Sequence, residues 1–201
     1  MAITYPRDFL EEFPGWNTEF DLVWRQEISR KASGAAIVKD LGTPLWKGTW
    51  QSVRLKPNEL SYWRAILASL ENGNRLFRGW DKARKYPILY PNGAPGSDSI
   101  GAIATVSTDR LTVSFSGIST MNLRPGDFFD CNNQNLYQSM ENSNGGSACE
   151  IRPALYLSDD VGDVCNFWKP AAQMRIIPGS INSPTDVATG KGIISFQGIQ
   201  A

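Results

Sequence analysis

Asp159, Asp160 and Asp163 crowd the stretch Ser-Asp-Asp-Val-Gly-Asp, the kind of oxygen-rich turn that can hold calcium. The spacing lacks the ligand alternation of an EF-hand and its bidentate glutamate, so a solvated turn is the simpler expectation. Cys131, Cys149 and Cys165 are odd in number and form no Cys-x-x-Cys pair. Small buried or half-buried thiols in a reducing compartment are expected, with a three-thiolate metal site as the alternative. Asp127 and Asp130 flank Phe128 and Phe129, with nothing nearby in the chain resembling an acid/base partner. Glu11 and Glu12, beside Phe9, Leu10 and Phe13, read as the polar edge of an anchored N-terminal arm. Gly190-Lys191-Gly192 comes nearest to a phosphate loop, but it lacks the P-loop spacing and runs into a strand.

The basic cluster Arg75, Arg78, Lys82, Arg84 and Lys85, interleaved with Trp80 and Tyr86, has the chemistry to touch nucleic acid. The whole chain, however, balances 20 Lys+Arg against 20 Asp+Glu, so a solvated or partner-facing edge is expected and direct nucleic-acid binding is not. The 201 residues include no histidine, which excludes Ser-His-Asp and Cys-His machinery and any His-ligated metal within this chain. A carboxylate glycosidase survives that cut. It needs two acids facing one cleft about 5–9.5 Å apart, and no motif suggests such a pair. The expectation is therefore a protein that is not an enzyme and uses no cofactor and no metal. Charged residues make up 20%, below the roughly 25% of soluble domains, which points to surface covered by partners. No stretch approaches the roughly 18 apolar residues that cross a bilayer, and residues 1–8 lack the apolar core of a secretory signal.

The elements that must position these residues are mostly strands. Apolar residues alternate over residues 20–29, a half-buried strand. Ser33-Gly34 then offers a turn into residues 35–38, so a hairpin reaching away from the core is expected. Residues 45–54 form another strand with Trp46 and Trp50 on one face. The clearest helix is residues 57–71, where Leu60, Trp63, Ile66, Leu67 and Leu70 make one apolar stripe that should lie across a sheet. Residues 92–97, rich in Gly and Pro, form the best linker. Beyond it, short strands at regular spacing predict a small closed or nearly closed barrel. The chain closes on strands near residues 174–177 and 192–199. A final strand must pair or leave an exposed edge.

Several phrases stand in a telling order: Leu45-Trp-Lys-Gly-Thr-Trp50, then Trp63 to Leu70, Phe77-Arg-Gly-Trp-Asp81, Leu123-Arg-Pro-Gly-Asp127 and Glu150-Ile-Arg-Pro-Ala154. Over most of its length the chain resembles the distal tail proteins of long-tailed bacteriophages, and the minor tail proteins close to them. These are phrases of fold and turn, not catalytic signatures. The resemblance implies a mainly β fold with one α-helix: a β-sandwich ring domain with a projecting hairpin, plus an inserted small β-barrel domain. It divides the chain into residues 1–93, an inserted barrel of 94–172, and return strands of 173–201. It also implies a structural virion protein of the tail tip or baseplate, made in the host cytoplasm. Its copies, six in number, would close into a ring joining the tail tube protein to the distal hub and tip proteins. Arg30, Lys31, Ile37, Val38, Trp46 and Trp50 are the candidates for contact with neighbouring copies or the tube. The alternative is a carbohydrate- or receptor-binding accessory module of the virion, with sugar contacts from residues 132–144 or Trp168.

Overall fold

The computed structural model describes residues 3–93 and 99–201. Of the linker expected at residues 92–97, positions 94–97 lie outside the described residues, as does the expected barrel start at 94.

The chain opens with β1 (Gly15–Val23), a separate hairpin of β2 (Gln26–Arg30) and β3 (Ala36–Asp40), and then β4 (Leu45–Ser52). The single strand expected over residues 20–29 is therefore cut in two. The cause is the partner: Val23 lies opposite Leu45, so β1 runs out of ladder where β4 begins. Past that point β2 pairs with β3 instead, Ile28 opposite Val38 and Ser29 opposite Ile37.

The helix α1 (Pro57–Ala68) follows. Pro57 stands in its first turn, where a missing N–H costs little, and the Glu59 carboxylate accepts the Lys56 N–H at 2.9 Å. It ends before residue 71, because Glu71 and Asn72 already adopt left-handed φ of 51° and 52° in a short 3-10 turn. Even so, Leu60, Trp63, Ile66, Leu67 and Leu70 are all buried. Each such burial contributes about 1.5–3 kcal/mol before entropy. Among the described residues no helix is long and apolar enough to cross a membrane.

After β5 (Leu76–Gly79) come β6 (Ile100–Val106), β7 (Thr112–Ser116), β8 (Asn122–Leu123) and β9 (Phe128–Cys131). Then follow β10 (Asn135–Ser139), β11 (Ser143–Asn144), β12 (Cys149–Arg152) and β13 (Val164–Asn166). Six of them close a barrel in the order β10-β12-β7-β6-β13-β9, while β8 and β11 pair separately. The chain ends with β14 (Ala172–Ile176) and β15 (Ser195–Gln200), which join a five-stranded sheet of order β1-β4-β15-β14-β5. The chain thus leaves the sheet after β5 and re-enters at β14, the antiparallel neighbour of β5. The last strand lies between β4 and β14, so it is no edge.

The two true edges differ. Along β5, Arg7 both donates to the Leu76 carbonyl and accepts the Arg78 N–H, at 2.9 and 3.0 Å, so the N-terminal arm covers it. The outer side of β1 takes no strand partner among the described residues.

One face of the sheet carries the core. Trp46, Gly48 and Trp50 alternate onto it from β4, and Gly48 must be glycine because a Cβ there would sit 2.3 Å from the Trp50 ring. At one end α1 and the N-terminal arm cover the face: Trp63 and Phe196 both meet the Phe13 ring edge-on, at 5.2 and 5.4 Å. The outer side of the β9–β10 hairpin covers the other end. There Trp46 stacks on Phe20 at 5.5 Å, meets Phe128 edge-on at 5.3 Å, and donates its indole N–H to the Leu136 carbonyl at 2.7 Å. The second layer is therefore helix plus barrel wall, where the resemblance implied a second sheet. Inside the barrel Phe129 packs on Phe115, Tyr137 and Phe167, so Phe128 and Phe129 serve two different cores.

Removing the Trp46 ring opens a cavity between sheet and barrel, so Trp46→Ala should cost about 3–5 kcal/mol in urea unfolding. Trp46→Phe keeps most of the packing but leaves the buried Leu136 carbonyl unpaired, and should cost about 1–3 kcal/mol.

Candidate functional site

Two places on the surface gather residues that could act on another molecule. The first is the β2–β3 hairpin. Every residue of both strands is exposed, including Ile28 at 68%, Val38 at 55% and Ile37 at 42%. Ile28 and Val38 face one way and Ile37 the other, so both sides of the ribbon are partly apolar. Arg30 and Lys31 stand at its exposed tip, where Gly34, at φ 83°, closes the turn back onto Lys31. At its root Trp24 and Leu41 are about half exposed, beside a groove of about 500 Å³ shared with Leu111 and Arg152 of the barrel. Two-stranded ribbons with no core beneath them are marginal on their own. Trp46 and Trp50, named with the hairpin as contact candidates, are 2% and 0% exposed and fill the core. Their spacing on one strand face reflects sheet packing, and neither offers surface to another chain.

The second place is a groove of about 400 Å³ where the barrel meets the sheet, lined by Trp80, Trp168, Asn133, Asn166, Arg78 and Lys169 among others. Trp168 is held in position: Tyr86 meets it edge-on at 4.8 Å, and it lies over Gly93, whose φ of 114° and missing Cβ leave room for the ring. Of the sugar-contact candidates, Trp168 and Asn133 of the 132–144 stretch therefore share one groove. Glu11 bridges Lys85 at 2.8 Å and Lys169 at 3.3 Å, and the Lys85 hydrogen bond holds its carboxyl below the ordinary range.

Asp130 lies fully buried against this groove. Its Oδ2 accepts from the Asn166 side chain at 2.9 Å and the Ala171 N–H at 3.0 Å, with the Arg78 guanidinium 3.9 Å away. Its Oδ1 has no hydrogen-bond partner among the described residues. Burial pushes the carboxyl up to about 6, and the unpartnered oxygen is the natural place for the proton. The sequence shows no partner near this residue because its partners come from β5, β13 and the re-entry segment, far apart along the chain.

The other acidic candidates are also fasteners. Asp127, 1% exposed, accepts the backbone N–H groups of Ile88 and Arg124, both at 2.7 Å. Asp159 departs from the solvated turn expected of it: it is 2% exposed and accepts the Tyr137 hydroxyl at 2.5 Å and the Asn135 amide at 2.9 Å. Asp163 accepts the Asp160 N–H at 2.7 Å. Among the described residues no three or more His, Cys, Asp or Glu are placed to hold a metal ion.

The basic cluster is dispersed into separate internal contacts. Arg75 pairs with Glu71 at 3.2 Å, Arg84 donates to the Gly126 carbonyl at 3.0 Å, and Lys82 donates to the carbonyls of Leu10 and Phe13. Lys85 holds Glu11, and Arg78 faces Asp130. Apart from Arg75, whose exposed pair with Glu71 is local, these cations bind the arm and the barrel to the sheet. Gly190-Lys191-Gly192 lies in a tight loop where Gly192 pairs with Leu55 and Thr185, so its backbone is already engaged. The three cysteines are free and buried.

A scan of protein-family models finds none that matches the chain, and a search of curated proteins finds no match either.

Because the folded state holds a proton on Asp130 up to about pH 6 and the unfolded chain releases it near 3.8, stability should fall as pH rises between them. The loss is on the order of 2–3 kcal/mol. Urea unfolding at pH 4 and pH 7 should show Asp130→Asn gaining on the wild type by about that amount across the window.

Proposed function

We propose that this chain is a non-enzymatic structural protein of a phage tail tip, whose copies close head-to-tail into a ring between the tail tube and the distal hub. The observation that carries the reading is the β2–β3 hairpin, an apolar-faced ribbon exposed on both sides and unsupported by its own core. Such a ribbon gains most by lying on a neighbouring copy. The open edge of β1, with Trp16 at 81% exposure, supplies a second, different surface on the same molecule. Two unlike surfaces meeting head-to-tail generate a ring when the rotation closes, and the resemblance implies six copies. The use of the buried carboxylates and the basic cluster as internal fasteners supports a role built on shape and edge pairing.

Mass photometry and negative-stain imaging test this. Rings with a central hole are expected. The double variant Ile37→Asp, Val38→Asp should abolish them while changing unfolding stability by no more than about 0.5 kcal/mol, since both positions are exposed. Monomers alone at high concentration, even with tube protein present, would count against the proposal.

A second reading, a carbohydrate-binding module of the virion, is favoured by the junction groove. There the half-exposed Trp168 ring stands beside the Asn133 and Asn166 amides, an aromatic platform with polar neighbours. Binding on a glycan array that is lost in Trp168→Ala would support it. An array without signal would remove it.

A further inference from the structure

Cys131 on β9 and Cys165 on β13 stand directly opposite one another where these two strands pair in the barrel wall. The neighbouring Asn132 N–H donates to the Val164 carbonyl at 2.9 Å, so the 131–165 position falls between ladder bonds. That is the kind of antiparallel site where opposed Cα atoms come closest, about 4.5 Å. A disulfide spans Cα separations of about 4.4–6.8 Å, so this register suits one without backbone movement. Both side chains point into the barrel, both are 0% exposed, and their sulfurs are in contact at 3.1 Å. Cys149 shares the interior but faces Val113 across its own ladder, which makes it a control within the same core.

We propose that Cys131 and Cys165 are a disulfide-forming pair, whose oxidation staples β9 to β13 and locks the barrel wall beside the junction groove. The next rung of that ladder is Asn166 opposite Asp130, so the staple sits against the fastener beneath the groove. With a small-molecule disulfide such as oxidised glutathione as oxidant, one cysteine thiolate attacks it and one reduced glutathione leaves. The second thiolate then attacks the protein sulfur of the mixed disulfide, forming the Cys131–Cys165 bond and releasing the second reduced glutathione. Two thiol protons and two electrons have passed to the oxidant. The contact with Cys165, with burial added, pushes the Cys131 thiol up, so that sulfur stays protonated in the closed barrel. Reaction therefore runs through transient opening of β13, a strand of only 3 residues.

The full chain, incubated with reduced or with oxidised glutathione and then blocked with N-ethylmaleimide in denaturant, gives the test by peptide mass mapping. The expected product is a Cys131–Cys165 linked peptide with maleimide on Cys149, formed faster in mild urea. The oxidised protein should melt roughly 5–10 °C higher than the reduced one. That shift should persist in Cys149→Ala and vanish in Cys165→Ala. The wild-type map decides the matter even if a variant fails to fold. Three maleimides per chain after oxidation, a link through Cys149, or glutathione remaining on Cys131 or Cys165 would each overturn the proposal.

Discussion

The hydrogen bond from the Trp46 indole to the Leu136 carbonyl, set within the Phe20–Trp46–Phe128 aromatic layer, joins the two cores of this molecule. Trp46 belongs to the second strand of the sheet and Leu136 to the barrel, and neither is exposed. Around it, Tyr156 of the barrel reaches the Pro44 carbonyl and the Gln200 side chain, while the Gln200 Oε1 accepts the Trp46 N–H. A barrel wall that doubles as the sheet's second layer fixes where the barrel sits. It also defines the groove beside Trp168 and the surroundings of Asp130.

The charged residues with the most specific geometry are turned inward onto the chain itself. Asp127 ties the segment before the barrel to the turn leading into β9, Asp130 ties β13 to the re-entry segment, and Asp159 ties Tyr137 to Asn135. Buried carboxylates are tolerated where such donors replace water. Asp130 satisfies this on one oxygen only, which is why its ionisation is coupled to stability. The hairpin, the open edge of β1 and the groove beside Trp168 present mixed apolar and polar side chains to other molecules.

Much of the fold was legible because local periodicity carries it. The α1 stripe, the alternation of Trp46, Gly48 and Trp50, and the turn at Ser33-Gly34 each follow from residues a few positions apart. The candidate site was less legible. Nothing local distinguishes Trp46, a core residue, from a Trp presented on an outer sheet face. Asp130 and Asp159 look like loop acids until donors from distant strands surround them.

The amino-acid order by itself determined the elements: which stretches are strands, where α1 lies, and which face of each is apolar. That information resides in spacing and side-chain type, and the backbone reads it over a few residues. Only the tertiary structure decided which strand lies against which. It set the final strand at the sheet's centre and gave the sheet a helix and a barrel wall for its second layer. It also brought Cys131 opposite Cys165 and left Asp130 with one bare oxygen. Those outcomes depend on long-range pairing, where many registers satisfy the same alternation and the packing of aromatic side chains selects one.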